Sequence, residues 1–179
     1  MSAARARWWS IGILTGVYAV AAAAMFGRAM PGVRTACGVP PLDGRFSWSR
    51  TDAQAFVAAC GTDGLRAYAT MELLDLVYPA LLAAALLVWT MLLSRDLPGR
   101  WRIALAAPAL AGMLADYLEN AAAWSILAAG RVPTSPLIEA GGGAALVKNV
   151  AGGIAFAVVG VLAVRRILAA VRTRIRADR

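Results

Sequence analysis

The sequence predicts an all-α protein, a four-helix transmembrane bundle with a small extracytoplasmic loop, and three observations carry the prediction. Of its 179 residues 60% are hydrophobic and only 16% charged, against about 25% charged in soluble domains, with a mean hydropathy of +0.65. Four apolar segments each approach or exceed the roughly 20 helical residues that cross a hydrocarbon core. Basic residues gather at the ends of those segments, as membrane orientation requires. The length fits one integral membrane domain, 1–179.

The first segment, about 8–27, carries Trp8 and Trp9 at its start and a Gly12/Gly16 pair at the spacing used for close helix packing. Arg5 and Arg7, an apolar run and Ala21–Ala24 also make the pattern of a cleavable signal peptide. The run is long for that use, and the orientation is the same either way. An external cap follows over 28–67. It holds both cysteines, Cys37 and Cys60, which in an oxidising compartment read as a disulfide, the alternative being two unrelated buried small residues. Thr51 to Gln54 reads as a capping box opening a short helix, which Gly61 suits as its end, while Pro40-Pro41 and Asp43-Gly44 read as turns. The second segment, about 68–93, contains Glu72, Asp75, Tyr78 and Pro79; the third spans about 103–129 and the fourth about 144–168, before a basic tail, 169–179. With no lipid-exposed backbone tolerated unpaired, each segment should be helical.

Arginine asymmetry orients the bundle. Arg5, Arg7, Arg95, Arg100, Arg102 and the six arginines from Arg165 to Arg179 fall on one side, while Arg28, Arg34, Arg45, Arg50, Arg66 and Arg131 are spread over the longer loops of the other. Both termini are therefore expected in the cytoplasm of a cell membrane. The tail, RRILAAVRTRIRADR, should continue as a helix and attract anionic phospholipid headgroups at about 1 kcal/mol per basic residue. No nucleic-acid module accompanies the basic balance.

Polar residues inside the apolar segments are the candidate functional residues. Asp116, Glu119 and Asn120, in the run DYLEN, share one helix face at i, i+3 and i+4. Glu72, Asp75 and Tyr78 follow at successive i, i+3 spacing in the second segment, and Lys148 and Asn149 stand in the fourth. Counting about 1.5 Å per residue from the outer boundaries puts Asp75 and Lys148 roughly 6–10 Å deep and Glu119 and Asn120 roughly 14–17 Å deep. Charges at such depth are costly against lipid and should converge on an interior cavity. Asp75, Asp116 and Glu119 against Lys148 leave surplus negative charge, to be met by a proton, a cationic ligand or Arg28. On this reading Asp116, Glu119, Asp75 and Lys148 are candidate catalytic residues, with Asp116 and Glu119 as acid and base or cation partners and Lys148 as electrostatic stabiliser. Tyr78, Asn120, Asn149 and Glu72 are candidate ligand-binding residues. The plainer alternative is that these groups only hold the helices together.

The chain has no histidine, which removes the commonest general base and metal ligand. No metal-ligand cluster or phosphate-binding loop is legible, and no cofactor is expected. Three function classes remain: a membrane enzyme or receptor for a lipid-like or amphipathic, amine-bearing molecule; a proton-coupled small-molecule transporter; and a structural or accessory subunit. Small multidrug carriers also have four spans, but place their key Glu in the first, where this chain has none. Association with further copies of the chain is compatible with all three.

The run MELLDLVYPALL, then DYLEN and the late Lys148, resembles uncharacterised bacterial four-span membrane proteins over most of the chain. That resemblance implies a bacterial inner-membrane bundle and no particular activity. A weaker, architectural likeness is to the emopamil-binding, sterol-isomerase-like group, which implies a small bundle, an external helix after the first span, and an acidic residue with a proline in the second. Glu72 or Asp75 with Pro79 matches; DYLEN lies outside that pattern, and the isomerases' histidine has no counterpart.

Overall fold

The computed structural model describes residues 3–177 as an all-α helical bundle. Four helical columns build it. The first is α1 (Ala3–Ala24), a π-helical turn (Met25–Ala29) and α2 (Met30–Cys37) run end to end. The second is α3 (Arg50–Asp75) followed by α4 (Tyr78–Leu93); the third is α5 (Gly99–Ala129) and the fourth α6 (Pro136–Ala177). Among the described residues three helical stretches are long and apolar enough to cross a membrane: Trp8–Cys37, Arg50–Leu93 and Pro136–Ile175. The 31-residue α5 is not among them, because Asp116, Glu119 and Asn120 lower its mean hydropathy.

The helices overrun the expected boundaries toward the cap. The first column stays helical to Cys37 because Pro31 falls in the first turn of α2, where a proline costs no backbone bond. Gly38, at φ 72°, then ends it. The true cap loop is thus about 38–49, one 3₁₀ turn (Leu42–Gly44) included, rather than 28–67. The capping box also sits two residues earlier than expected. Ser49 is the N-cap: its hydroxyl accepts from the Asp52 N–H at 3.1 Å, and the Asp52 carboxylate accepts from the Ser49 N–H at 2.8 Å. Thr51 and Gln54 lie inside the helix. Gly61 does break α3, at φ 56° and ψ −167°, and the helix resumes beyond it.

Cys37 and Cys60 are at disulfide distance, with Cα atoms 4.0 Å apart. This ties the end of the first column to α3. Gly64 must stay small beneath the bridge, since a Cβ there would lie 2.8 Å from the Cys37 sulfur.

The densest packing is at this cap end. Trp48, Phe56, Tyr68, Met71, Tyr78, Ile126 and Ile138 form one buried cluster. Toward the other end Ile13, Val17, Val20, Val161, Val164 and Ile167 are exposed, an apolar surface that water does not favour over such an area. There α5 and α6 cross closely at Gly112, whose missing side chain leaves its Cβ position 3.5 Å from the Gly152 nitrogen. The expected Gly12/Gly16 packing surface meets nothing: no neighbour lies within 4 Å of either Cβ position among the described residues.

Candidate functional site

A proline sets the site's geometry. Pro79 has no N–H, so the carbonyl of Asp75, four residues earlier, cannot be satisfied within the helix. The chain breaks between α3 and α4, and α5 supplies the missing donors. Asn120 Nδ2 donates to the Asp75 carbonyl at 3.0 Å, and the Tyr117 hydroxyl to the Leu76 carbonyl at 3.2 Å. Two residues of DYLEN therefore close the break that the YP pair opens. Unpaired, the buried Asp75 carbonyl would cost on the order of 1–3 kcal/mol.

The two acids of DYLEN receive Lys148. Its ammonium lies 3.3 Å from Asp116 Oδ1 and closer still to Glu119 Oε2. Glu119 is wholly buried, and its second oxygen accepts from the Trp48 indole N–H at 2.8 Å. Trp48 reaches it because α6 carries glycines where the cap loop passes. A Cβ on Gly141 would meet Ala122 and the Trp48 ring, and one on Gly142 would collide with the Trp48 carbonyl. Lys148 also donates to the Asp43 carbonyl at 3.4 Å, and Asn149 Nδ2 to the Arg45 and Phe46 carbonyls, both at 3.2 Å. The cap loop is thereby pinned onto the bundle.

Under that loop lies a half-open cavity of about 600 Å³. Met25, Phe26, Met30, Leu82 and Phe156 form apolar wall, with Gly152 and Gly153 leaving room along α6. Asp43, Arg45, Asp75, Tyr78, Asp116, Lys148 and Asn149 form its polar part. The Tyr78 ring is held by Tyr18, 6.0 Å away, and by the edge of Phe26 at 5.8 Å.

The expected site residues thus divide. Asp75, Tyr78, Asp116, Lys148 and Asn149 do line one cavity. Glu119, Asn120 and Glu72 do not: Glu119 sits behind Lys148, Asn120 is occupied by the helix break, and Glu72 is buried beside Asp43 and Asp75. Arg28 does not approach the cavity either; it borders a separate hollow with Ala67, Thr70 and Leu74. Asp43 and Trp48 belong to the site without being anticipated. Asp43 read as a turn residue, yet it is buried, with Oδ2 accepting from the Tyr68 hydroxyl at 2.6 Å. Its one advance signal was an acid set in a proline-flanked, otherwise apolar loop stretch.

Compared with known proteins, the chain matches no family model, no curated protein and no solved structure.

Proposed function

We propose that this is a cell-membrane protein that binds or acts on a lipid-like or amphipathic small molecule in the cavity beneath its cap loop. The observation that carries the reading is the cavity's two-sided chemistry. An apolar wall at Phe26, Leu82 and Phe156 suits a hydrocarbon portion, and Asp75, Asp116, Tyr78 and Lys148 suit a polar head. A volume of about 600 Å³ lies in the range of small-molecule sites. Because acids outnumber bases around it, a head group bearing hydrogen-bond donors, an amine among them, is favoured. Tyr78 offers such a cation a ring face.

The basic end of the bundle faces the cytoplasm in this reading. Support comes from Asp96, in the loop between α4 and α5, which is bound by Arg165 and Arg166 of α6. The two most arginine-rich regions thus share one end, and the disulfide and cap loop lie at the other.

The test is native mass spectrometry of detergent-purified protein for a retained lipid or amphiphile, followed by thermal-shift titration with what is released. Saturable stabilisation that falls at least tenfold in apparent affinity in Asp75→Asn and Asp116→Asn supports the proposal. Stabilisation unchanged in both variants refutes it.

A further inference from the structure

Beside the cavity, Asp43, Glu72 and Asp75 converge from the cap loop and α3. One carboxylate oxygen from each lies within 4.8 Å of the others, and all three residues are buried. That spread matches oxygens arranged around one hard cation at about 2.3–2.6 Å. Both oxygens of Glu72, which is 0% exposed, lack any hydrogen-bond partner, as do Asp43 Oδ1 and Asp75 Oδ2. Three buried acids facing one another, with the Tyr68 hydroxyl donating to one oxygen of Asp43, cannot all stay ionised unless positive charge joins them.

The two basic residues that line the cavity with Asp43 and Asp75 are engaged elsewhere. Lys148 is held by Asp116 and Glu119, and Arg45 is turned to the Pro40 carbonyl and Asp52. We propose that Asp43, Glu72 and Asp75 form a binding site for a hard divalent cation of the Mg²⁺, Ca²⁺ or Mn²⁺ class.

Donor chemistry selects that class. All three ligands are carboxylates, while the chain has no histidine and both its cysteines are in the disulfide, so softer metals find no preferred ligand. The Tyr68 hydroxyl, donating to Asp43 Oδ2, orients that ligand from behind and leaves Oδ1 free. Asp43 and Asp75 also line the cavity. An ion could therefore enter from it, and water or a head-group oxygen could complete its coordination. The site stands on these three residues and does not require the amphiphile.

The experiment uses full-length protein in detergent, stripped with EDTA and kept free of added amphiphile. Tb³⁺ is the probe, its luminescence sensitised by the nearby Tyr68, and Ca²⁺, Mg²⁺ and Mn²⁺ are each tried as competitors. The expected result is a saturable signal at one ion per chain, displaced by at least one of the three. Glu72→Gln, which keeps the side-chain shape, should weaken Tb³⁺ binding at least tenfold, and Glu139→Gln, an exposed acid remote from the trio, should not change it. Wild-type protein with no saturable signal between pH 5.5 and 8 overturns the site, leaving protons as the counter-charge. A signal equally strong in Glu72→Gln overturns it as well. Should Glu72→Gln fail to fold, the wild-type titration and Asp75→Asn decide. Failure to find an amphiphile leaves every one of these readings unaffected.

Discussion

At the residue scale, Glu119 and Asn120 are where burial makes single substitutions most costly. Glu119→Ala removes one of the two carboxylates paired with the Lys148 ammonium and frees the Trp48 indole. Removing one side of a buried pair costs about 3–5 kcal/mol. Thermal or denaturant unfolding in detergent should show a loss of that size, with ligand stabilisation surviving in whatever protein stays folded. Asn120→Leu is expected to cost about 1–3 kcal/mol, because the Asp75 carbonyl stranded by Pro79 loses its donor. A double variant with Pro79→Ala checks the mechanism. Restoring the backbone N–H should recover part of the loss, and full additivity would mean that the two residues do not act on the same carbonyl. Gly142→Ala should also destabilise, by pushing the Trp48 backbone off α6.

At the element scale, the cap end and the basic end are stapled differently. Cys37 and Cys60 close a loop spanning 23 positions, a length at which a disulfide contributes about 2–4 kcal/mol. Reduction, or Cys37→Ser with Cys60→Ser, should lower the melting temperature and expose the 38–49 loop to proteolysis before the helices. The opposite end uses charge. Arg165 hydrogen-bonds Asp96 and holds its carboxyl below the usual carboxylate range, with Arg166 adding to the effect. Arg166 also donates to the Leu93 carbonyl at 2.8 Å, satisfying the end of α4. For a depressed acid, the stabilisation is fully present above the unfolded value of about 3.9 and is lost as pH falls through the lower folded value. Asp96→Asn should therefore narrow the stability difference from wild type as pH drops below about 4, and leave it constant from pH 5 to 8. Past this staple, Arg172 and Arg174 share the end of α6 with exposed Leu168, Val171 and Ile175. Their double replacement by Gln should weaken binding to anionic vesicles by about 2 kcal/mol while leaving zwitterionic vesicles unaffected.

At the scale of the whole molecule, the proposed topology makes one sharp demand. Reporter fusions after Arg179 and near Asp96 should behave as cytoplasmic, and one near Asp52 as external. An external signal at Arg179 would invert the reading and with it the compartment in which Cys37 and Cys60 oxidise. The described structure is consistent with this demand in one respect only: the Asp96 loop and Arg165 of α6 are in contact, so they cannot lie on opposite sides of a bilayer.

Read alone, the sequence determined the all-α class and the approximate places of the helices and favoured the cysteine pairing, because these rest on local signals. Apolar run length, helical spacing and the position of both cysteines between the first two apolar segments can be read along the chain. It also put Asp116, Glu119 and Asn120 on one face of α5, since 3.6 residues per turn fixes that without reference to any partner. Which groups that face would meet was decided only by the tertiary structure. Asn120, a candidate ligand-binding residue in the sequence, donates to a carbonyl 45 residues away whose helical donor is removed by a proline on another helix. Nothing in the chain announces that Trp48 will reach Glu119, the candidate acid, base or cation partner, across Gly141 and Gly142. Asp43 was missed for the same reason: in the chain it is half of an Asp-Gly turn, and only folding the cap loop onto α3 places it beside Glu72 and Asp75. Periodicity assigns a side chain to a face; the pairing of buried charges depends on distances between elements, and those exist only once the helices have packed.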